Sequence, residues 1–256
     1  MTRTEEEKIN ELCKLLLEIG SLLMISGANT ARIRITILRI ASAYGYSAEL
    51  LITHRALMLT LFAEDKDYFF SRLKRTLPHG INFKTVSGIS RMSWRIVEEK
   101  WNLQQVQQEL DRLRTLPHYP RLVTLSLVGL AGASFCRLFG GGLTEMLIAF
   151  VATFIGLFVR QETVKRAYNT YLCVFMAAFV SSLISGLAVF LNIGEHPDYA
   201  FATSVLYLIP GVPLINSLTD LLDGNIMNGV VRGINGLMIA FSIALGLLGA
   251  ILIYNI

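Results

Sequence analysis

Residues 206–232 read LYLIPGVPLINSLTDLLDGNIMNGVVR, and the middle of this stretch decides how the chain can fold. Pro210 and Pro213 each lack a backbone N–H donor, and Gly211 between them adds backbone freedom. The stretch therefore cannot form one uninterrupted helix. Within a lipid bilayer, the carbonyl groups that such a break frees need partners from protein or water. We predict a broken membrane helix, an arrangement with which transporters place helix ends beside a substrate.

The residues after the break are predicted to form a helix with one apolar and one polar face. Apolar side chains share one side of a helix over 214–223, and polar side chains share the other. The apolar set is Leu214, Ile215, Leu218, Leu221 and Leu222, and the polar set is Asn216, Thr219, Asp220 and Asp223. Asn216 and Asp220 lie one turn apart, so both can line a polar path. The alternative is a proline kink followed by a helix that lies on the cytoplasmic membrane surface.

Other apolar runs surround this stretch. A membrane helix needs about 20 apolar residues, and the second half of the chain offers five candidates. They are 122–139, 143–159, 170–193, 200–216 and 230–254, of which the fourth is the broken one. The first two are short and are separated by Gly140–Gly142, so they form either a tight hairpin across the membrane or a re-entrant pair. Small residues spaced four apart, namely Ala177, Ser181 and Ser185, favour close helix packing.

Basic residues indicate the orientation of these segments. Cytoplasmic loops are enriched in Lys and Arg, and the predicted loop 160–168 contains Arg160, Lys165 and Arg166. The loop 194–199, which five spans place on the opposite side, has acidic residues but no Lys or Arg. Arg137, near the outer end of the first span, is the one discordant charge. We therefore expect a multi-pass protein of the inner (cytoplasmic) membrane, with its N-terminal domain in the cytoplasm and its C-terminus outside.

The first 121 residues differ in composition from the rest. The chain of 256 residues is 53% hydrophobic and 16% charged, whereas about 25% of an average globular chain is charged. Residues 1–121 hold 18 of the 23 Lys and Arg but only 13 of the 19 Asp and Glu, which gives them a net charge of +5. The sequence thus predicts a soluble domain over 1–118 and a transmembrane domain over 119–256.

Hydrophobic periodicity predicts a small α+β fold for the soluble domain. One helix is expected to end near Ser26–Gly27, and a second to begin at Asn29 or Thr30 and to end at Gly45. The expected strands are 47–53 and 57–63, which form a hairpin around His54–Arg55, then 68–76 and a fainter pattern at 81–86, before helices over 87–100 and 102–116. The predicted fold is a polytopic α-helical membrane protein of about five transmembrane helices, one broken, preceded by a small α+β cytoplasmic domain.

Residue types that carry out catalysis or bind metal show no recognisable grouping. His54, His79 and His118 are far apart and lack metal-ligand spacing. Three cysteines do not make a disulfide framework, and Cys136 and Cys173 lie inside apolar runs. We therefore predict no catalytic residue, no metal site and no cofactor. The basic residues form no stripe, which argues against nucleic-acid binding.

Two segments resemble the threonine/serine exporter family. The run Leu208–Asn216, followed by Asp220, Gly224 and Arg232, is similar to the proline-containing signature of that family. The segment Gly20–Arg32 is similar to its amino-terminal signature. The order of parts, a cytoplasmic domain before five spans, agrees with the family as well, so the resemblance covers essentially the whole chain.

The resemblance implies an exporter of small hydroxyl amino acids such as threonine and serine. We expect a secondary exporter driven by the proton gradient, because the sequence has no Gly-rich P-loop that would indicate ATP as the energy source. Full-length members resemble two fused halves, so this chain is expected to be the larger component of a split exporter. Its partner would be a short membrane protein that supplies the second half, inserted upside down relative to the first. Split members are also linked to dicarboxylate export, which leaves a succinate-like substrate as the alternative. The assembly is expected to be a hetero- or homo-oligomer in the lipid bilayer.

The expected substrate path contains six residues: Pro210, Gly211, Pro213, Asn216, Asp220 and Arg232. The first three open the helix, Asn216 offers an amide, and Asp220 carries a charge or a coupling proton beside Arg232. A membrane-anchored sensor or regulator is a second class of function, but a bare anchor needs neither the break nor the polar face. An intramembrane enzyme is a third class, and no Ser–His or paired-Asp motif supports it.

Overall fold

The computed structural model describes residues 3–63, 69–76, 80–117 and 119–256. Its contacts divide the chain into two compact units. Unit 1 comprises Met1–Pro117 together with Val212–Gly233, and unit 2 comprises His118–Gly211 together with Ile234–Ile256. The residues that follow the proline break therefore belong to the same compact unit as the first part of the chain.

The first part of the chain combines helices with a three-stranded antiparallel sheet. Its elements are α1 (Arg3–Ile25), α2 (Thr30–Ala43), β1 (Tyr46–Thr53), β2 (Ala56–Ala63), β3 (Phe69–Arg75), α3 (Phe83–Glu99) and α4 (Leu103–Arg114). The strands follow one another in the order β1-β2-β3. This arrangement confirms the predicted hairpin and its third strand.

From residue 119 onward, where the structure describes every residue, all regular secondary structure is helical. The helices are α5 (Arg121–Leu138), α6 (Leu143–Lys165), α7 (Thr170–Phe190), α8 (Pro197–Thr203), a 3-10 turn (Leu206–Leu208), α9 (Gly211–Leu222) and α10 (Ile226–Tyr254). Within the described ranges, α5, α6, α7 and α10 are long and apolar enough to cross a membrane. A fifth span results if the two bent segments Pro197–Leu208 and Gly211–Leu222 count as one. The protein is thus a polytopic helical membrane protein that also contains a small sheet.

One hydrophobic core holds the α+β part of unit 1 together. Leu12, Leu16 and Ile19 follow one another at three- and four-residue steps along α1, and all three are buried. They belong to one cluster with Leu57 and Leu59 of the central strand β2. Because side chains alternate along a strand, this face of the sheet is covered by α1 while the next positions face away.

Two side chains donate hydrogen bonds to carbonyl groups on the unpaired edge of β1. An edge strand presents unpaired carbonyl groups, which need partners. Arg34 of α2 donates through Nη1 to the Leu50 carbonyl at 3.3 Å. Asn228 of α10 donates through Nδ2 to the Ile52 carbonyl at 2.9 Å. The second bond ties the start of α10 to the sheet of the same unit.

Small and hydroxyl side chains mediate the helix packing of unit 2. A Cβ added to Gly132 of α5 would lie 2.5 Å from Thr153 Oγ1 of α6. The Ser181 hydroxyl of α7 donates to the Ala152 carbonyl of α6 at 3.0 Å. Ser185 Oγ lies 3.0 Å from Ser204 Oγ. Close approach and hydrogen bonds between helices are typical of membrane bundles, where apolar burial does not distinguish protein from lipid.

Two predicted segments are wrong. The strand predicted at 81–86 does not form, because α3 begins at Phe83 and the Asn82 side chain caps it by accepting the Thr85 N–H. The loop predicted at 160–168 begins later, because α6 continues to Lys165 and contains Arg160. Charged residues at the end of a membrane helix can extend past the hydrocarbon region, so they do not end the helix. His79 and His118 lie outside the described residues.

Candidate functional site

The proline pair separates two helical segments. The 3-10 turn ends at Leu208, and α9 begins at Gly211, with Pro210 between them. Pro213 lies in the first turn of α9, where a missing N–H costs no helical hydrogen bond. Gly211 has no positive φ, and a Cβ added to it would meet no atom within 4 Å. The prolines therefore account for the break, and the conformational freedom expected of Gly211 is not needed.

The polar face of α9 is its buried face. Asp220 is fully buried and Ser217 nearly so, whereas Ile215, Leu218 and Leu222 are 66%, 59% and 79% exposed. A helix on the surface of a water-soluble protein shows the opposite arrangement. The exposed apolar side chains are suited to lipid or to another apolar protein surface.

The Asp220 carboxylate lies at the N-terminus of α2. Its Oδ1 accepts a hydrogen bond from the Thr30 N–H at 2.9 Å, and its Oδ2 accepts one from the Thr30 hydroxyl at 3.0 Å. Thr30 is the first residue of α2, and the first N–H groups of a helix have no partner within it. The helix dipole also favours a negative charge at this end. Asp220 thus completes the cap that Asn29 begins by accepting the Arg32 N–H at 2.9 Å.

Arg232 of α10 supplies the opposite charge. Its Nη1 lies 3.1 Å from Asp220 Oδ2, and its Nη2 donates to the Ala28 carbonyl at 3.1 Å. The Asp220 side chain is 0% exposed and the Arg232 side chain is 10% exposed. Breaking a buried pair by removing one partner costs about 3–5 kcal/mol, because the remaining charge is left uncompensated. The two residues therefore depend on each other.

Two asparagines make further hydrogen bonds around the α1–α2 turn. Asn216 Nδ2 of α9 donates to the Gly27 carbonyl at 2.8 Å. Asn228 Nδ2, which binds the edge of β1, also lies 3.4 Å from the Thr30 hydroxyl. The turn between α1 and α2 is thereby held by both α9 and α10. We call the set Thr30, Asn216, Asp220, Asn228 and Arg232 the Asp220 cluster.

The β1–β2 turn adds a titratable group near this cluster. Burial of His54, followed by the positive charges of Arg55 and Arg232, lowers the pKa of this imidazole below its ordinary 6.5. His54 is therefore mostly neutral at pH 7, whereas Asp220 and Arg232 form the charged pair. Across the described part of the chain, no group of three His, Cys, Asp or Glu side chains is arranged to hold a metal ion.

The structure brings three of the six predicted path residues together. Asn216, Asp220 and Arg232 share the Asp220 cluster, whereas Pro210, Gly211 and Pro213 shape the start of α9. That these residues line a substrate path stays a prediction.

Sequence reasoning missed two members of the cluster, Thr30 and Asn228. Thr30 lies in the segment that resembles the amino-terminal family signature. That resemblance indicates that the α1–α2 turn is important, but it does not predict which residues the turn contacts. The contact with Asp220 joins positions 190 residues apart, and no pattern within one sequence pairs residues at that distance. In the sequence, Asn228 is an amide near the start of a membrane helix, and no pattern predicts its contacts.

Comparison with known proteins gives a family and several relatives. The model of the threonine/serine exporter family, ThrE, matches residues 14–254. A protein of Escherichia coli (strain K12) named "Probable succinate transporter subunit YjjP" is 27% identical over 257 residues, covering 99% of this chain and 98% of the relative. Its namesake from Klebsiella aerogenes is 27% identical over 256 residues, covering 99% and 97%.

A further relative is about twice as long. The "Threonine/serine exporter" of Corynebacterium glutamicum is 23% identical over 259 residues, which cover 95% of this chain but 51% of the relative. The chain therefore spans about half the length of that exporter. No solved structure matches the chain.

Proposed function

Because the chain belongs to the threonine/serine exporter family, we propose that it is one subunit of a secondary membrane exporter. The proposed substrates are small amino acids of the threonine and serine type, and export is coupled to protons. The chain has the apolar helices of a membrane protein, and its family transports small polar molecules. Moving such molecules across a bilayer requires polar groups that are shielded from lipid.

The Asp220 cluster is the observation that carries this proposal. It joins the two segments whose sequences resemble the family signatures, the α1–α2 turn and the start of α9 with α10. Buried charges next to membrane segments are costly and are typical of substrate and ion sites. A buried carboxylate beside a guanidinium, with amides and a hydroxyl around them, can recognise a small charged metabolite and can exchange a proton.

The partner in this proposal is a short membrane protein that supplies the second half of the exporter. Two observations support it: two relatives are named as subunits, and this chain matches about half of a longer exporter. An odd number of spans in each half would place the halves in opposite orientations, as in many secondary transporters. The exposed apolar face of α9 is available for this contact or for lipid.

A dicarboxylate is the second candidate substrate. It is favoured by the relatives named as succinate transporter subunits, which match this chain over nearly their whole length. Threonine and succinate differ in size and charge but share a carboxylate. Either substrate is compatible with a site built around a buried guanidinium.

The proposed location is the inner membrane, with the α+β part in the cytoplasm and the C-terminus outside. The basic residues Arg160, Lys165 and Arg166 near the end of α6 support this orientation. The turn between α7 and α8 contains Glu195 and no Lys or Arg, as expected for an outer loop.

Transport in vesicles tests the proposed function. The chain and its partner are reconstituted together and separately, and efflux of labelled L-threonine and succinate is followed with and without a pH gradient. Efflux that requires both proteins and responds to the gradient supports the proposal. Equal efflux from vesicles that lack the chain would refute it.

A further inference from the structure

The Asp220 cluster holds a carboxylate by contacts that any carboxylate could make. Thr30 offers a backbone N–H and a hydroxyl, at 2.9 and 3.0 Å from the two oxygens. Arg232 offers its guanidinium, which recognises the charge and the planar shape of a carboxylate. These donors belong to α2 and α10, whereas the carboxylate itself belongs to α9. Moving the Asp220 side chain would therefore leave the donors in place.

Arg232 is incompletely satisfied by its present partner. Its Nη1 is buried and close to Asp220 Oδ2, yet it makes no aligned hydrogen bond with any described residue. A buried donor without an aligned acceptor is rare in folded proteins and calls for an explanation. A ligand carboxylate that approaches Nη1 along its N–H direction would supply an aligned acceptor, which Asp220 Oδ2 at 3.1 Å does not. The observation is independent of the helix N-terminus and points to the same place.

We propose that the Asp220 cluster is a receptor for the carboxylate group of a small metabolite and that Asp220 is its internal competitor. The inference rests on the proposed function and names the chemical group that the site recognises. In the structure described here, Asp220 occupies the receptor. When a ligand binds, its carboxylate takes over the contacts with Thr30 and Arg232, and Asp220 gives them up.

Charge balance fixes what happens to Asp220 during this exchange. Beside a single guanidinium, a ligand carboxylate and an ionised Asp220 would together leave one buried negative charge uncompensated, at a large desolvation cost. A dicarboxylate therefore places one of its carboxylates against Arg232 and keeps the other outside this contact, and the displaced Asp220 takes up one proton from solvent. With a zwitterionic amino acid, the ammonium group of the ligand pairs with Asp220, so no proton is needed.

Other charged groups in the neighbourhood have to be separated from Asp220 in a test. His54 and Arg55 lie in the β1–β2 turn, Arg32 lies on α2, and Asp223 lies in the turn directly after α9. Arg32 and Asp223 are exposed. Asp223→Asn is therefore a matched control for Asp220→Asn, and His54→Gln tests whether the imidazole takes up the proton instead.

The first experiment measures binding to the full chain in lipid nanodiscs by calorimetry at pH 7. The probes are succinate, L-threonine and L-threoninol, in which a CH2OH group replaces the carboxylate. We expect Asp220→Asn to bind succinate about tenfold more tightly than the unchanged chain, since the competitor is gone. Asp223→Asn should bind succinate as the unchanged chain does, and threoninol should not bind. Succinate binding that is equal or weaker in a folded Asp220→Asn variant overturns the proposal, and so does threoninol binding as tight as that of threonine.

The second experiment needs no change at Asp220 and remains decisive if that variant does not fold. Succinate binding to the unchanged chain is measured in buffers of different ionisation enthalpy, which gives the number of protons taken up. We expect about one proton per succinate and close to none per threonine, with His54→Gln giving the same values. Succinate binding without proton uptake, or uptake lost in His54→Gln, contradicts the proposal.

These outcomes are separate from those of the vesicle assay. Carboxylate binding that tightens in Asp220→Asn, without any efflux in vesicles, would leave the receptor standing and refute the exporter. Efflux that requires the chain, without tighter succinate binding in Asp220→Asn, would support the exporter and refute the receptor.

Discussion

Asp220 has no exposed surface, so the atoms around it decide what its replacement does. Replacing it by Ala leaves Arg232 without its countercharge and leaves the Thr30 N–H at the start of α2 without an acceptor. We expect Asp220→Ala to destabilise the chain by about 3–5 kcal/mol. Asp223→Ala, at the exposed position directly after α9, should change stability by less than about 0.5 kcal/mol. Thermal unfolding of both variants in one detergent checks this, and equal shifts would show that the ion pair contributes nothing.

Cys13 gives a second prediction at the scale of one residue. Its side chain is buried, and that burial raises the pKa of the thiol to about 11. Because the thiolate is the reactive form, the folded protein should be labelled slowly by a maleimide at neutral pH. Labelling should become fast in denaturant, where the thiol recovers its ordinary pKa. Native labelling of Cys13 at the rate of an exposed cysteine would show that the core of unit 1 is open.

Helix α9 packs on α10 through a glycine that the sequence did not single out. A Cβ at Gly229 would lie 2.7 Å from Leu221 Cγ and 2.9 Å from the Ser217 carbonyl oxygen. The Ser217 hydroxyl donates to the Gly229 carbonyl at 2.7 Å. By contrast, a Cβ at Gly211 meets nothing within 4 Å. The lack of space at Gly229 therefore restricts the position of α9, whereas Gly211 imposes no such restriction.

Matched substitutions to Leu separate these two glycines. We expect Gly229→Leu to cost about 1–3 kcal/mol or more, because the added side chain meets a backbone atom. Gly211→Leu should cost less than Gly229→Leu and should leave the Asp220 cluster intact. Unfolding temperature and succinate binding measure the two effects. Equal stability of the two variants would mean that α9 does not rest on α10 as described.

Local pattern predicted much of the secondary structure and failed where a distant or capping contact decided the outcome. The helix pair before β1 and the hairpin follow from periodicity and from turn residues such as Gly45, whose φ is +76°. The strand predicted at 81–86 failed because Asn82 acts as a helix cap. Periodicity also placed Asn216 and Asp220 on one face of α9, but it could not show that α2 covers that face. Long-range packing supplies that information, and one sequence does not.

At the scale of the whole molecule, we predict the orientation of the chain in the membrane. We expect a cysteine at Glu195 to react with a membrane-impermeant maleimide on intact cells, and a cysteine at Arg166 to react only after permeabilisation. Both positions are exposed in the protein, and the three native cysteines are buried and free, so the background is low. Thr163, an obvious inner position from sequence, is buried in α6 and is less suitable. The reverse labelling pattern would invert the proposed orientation.

The most direct test of the whole account is efflux from vesicles that contain the chain with its short membrane partner, compared for Asp220→Asn and Asp223→Asn. A fixed pH gradient drives the assay, and labelled L-threonine and succinate are followed separately. We predict that the pair exports at least one of them, that either protein alone exports neither, and that Asp220→Asn loses most of the efflux while Asp223→Asn retains it. Robust efflux by the chain alone would contradict the subunit proposal. Unchanged efflux by a fully expressed Asp220→Asn variant would contradict the role of the Asp220 cluster.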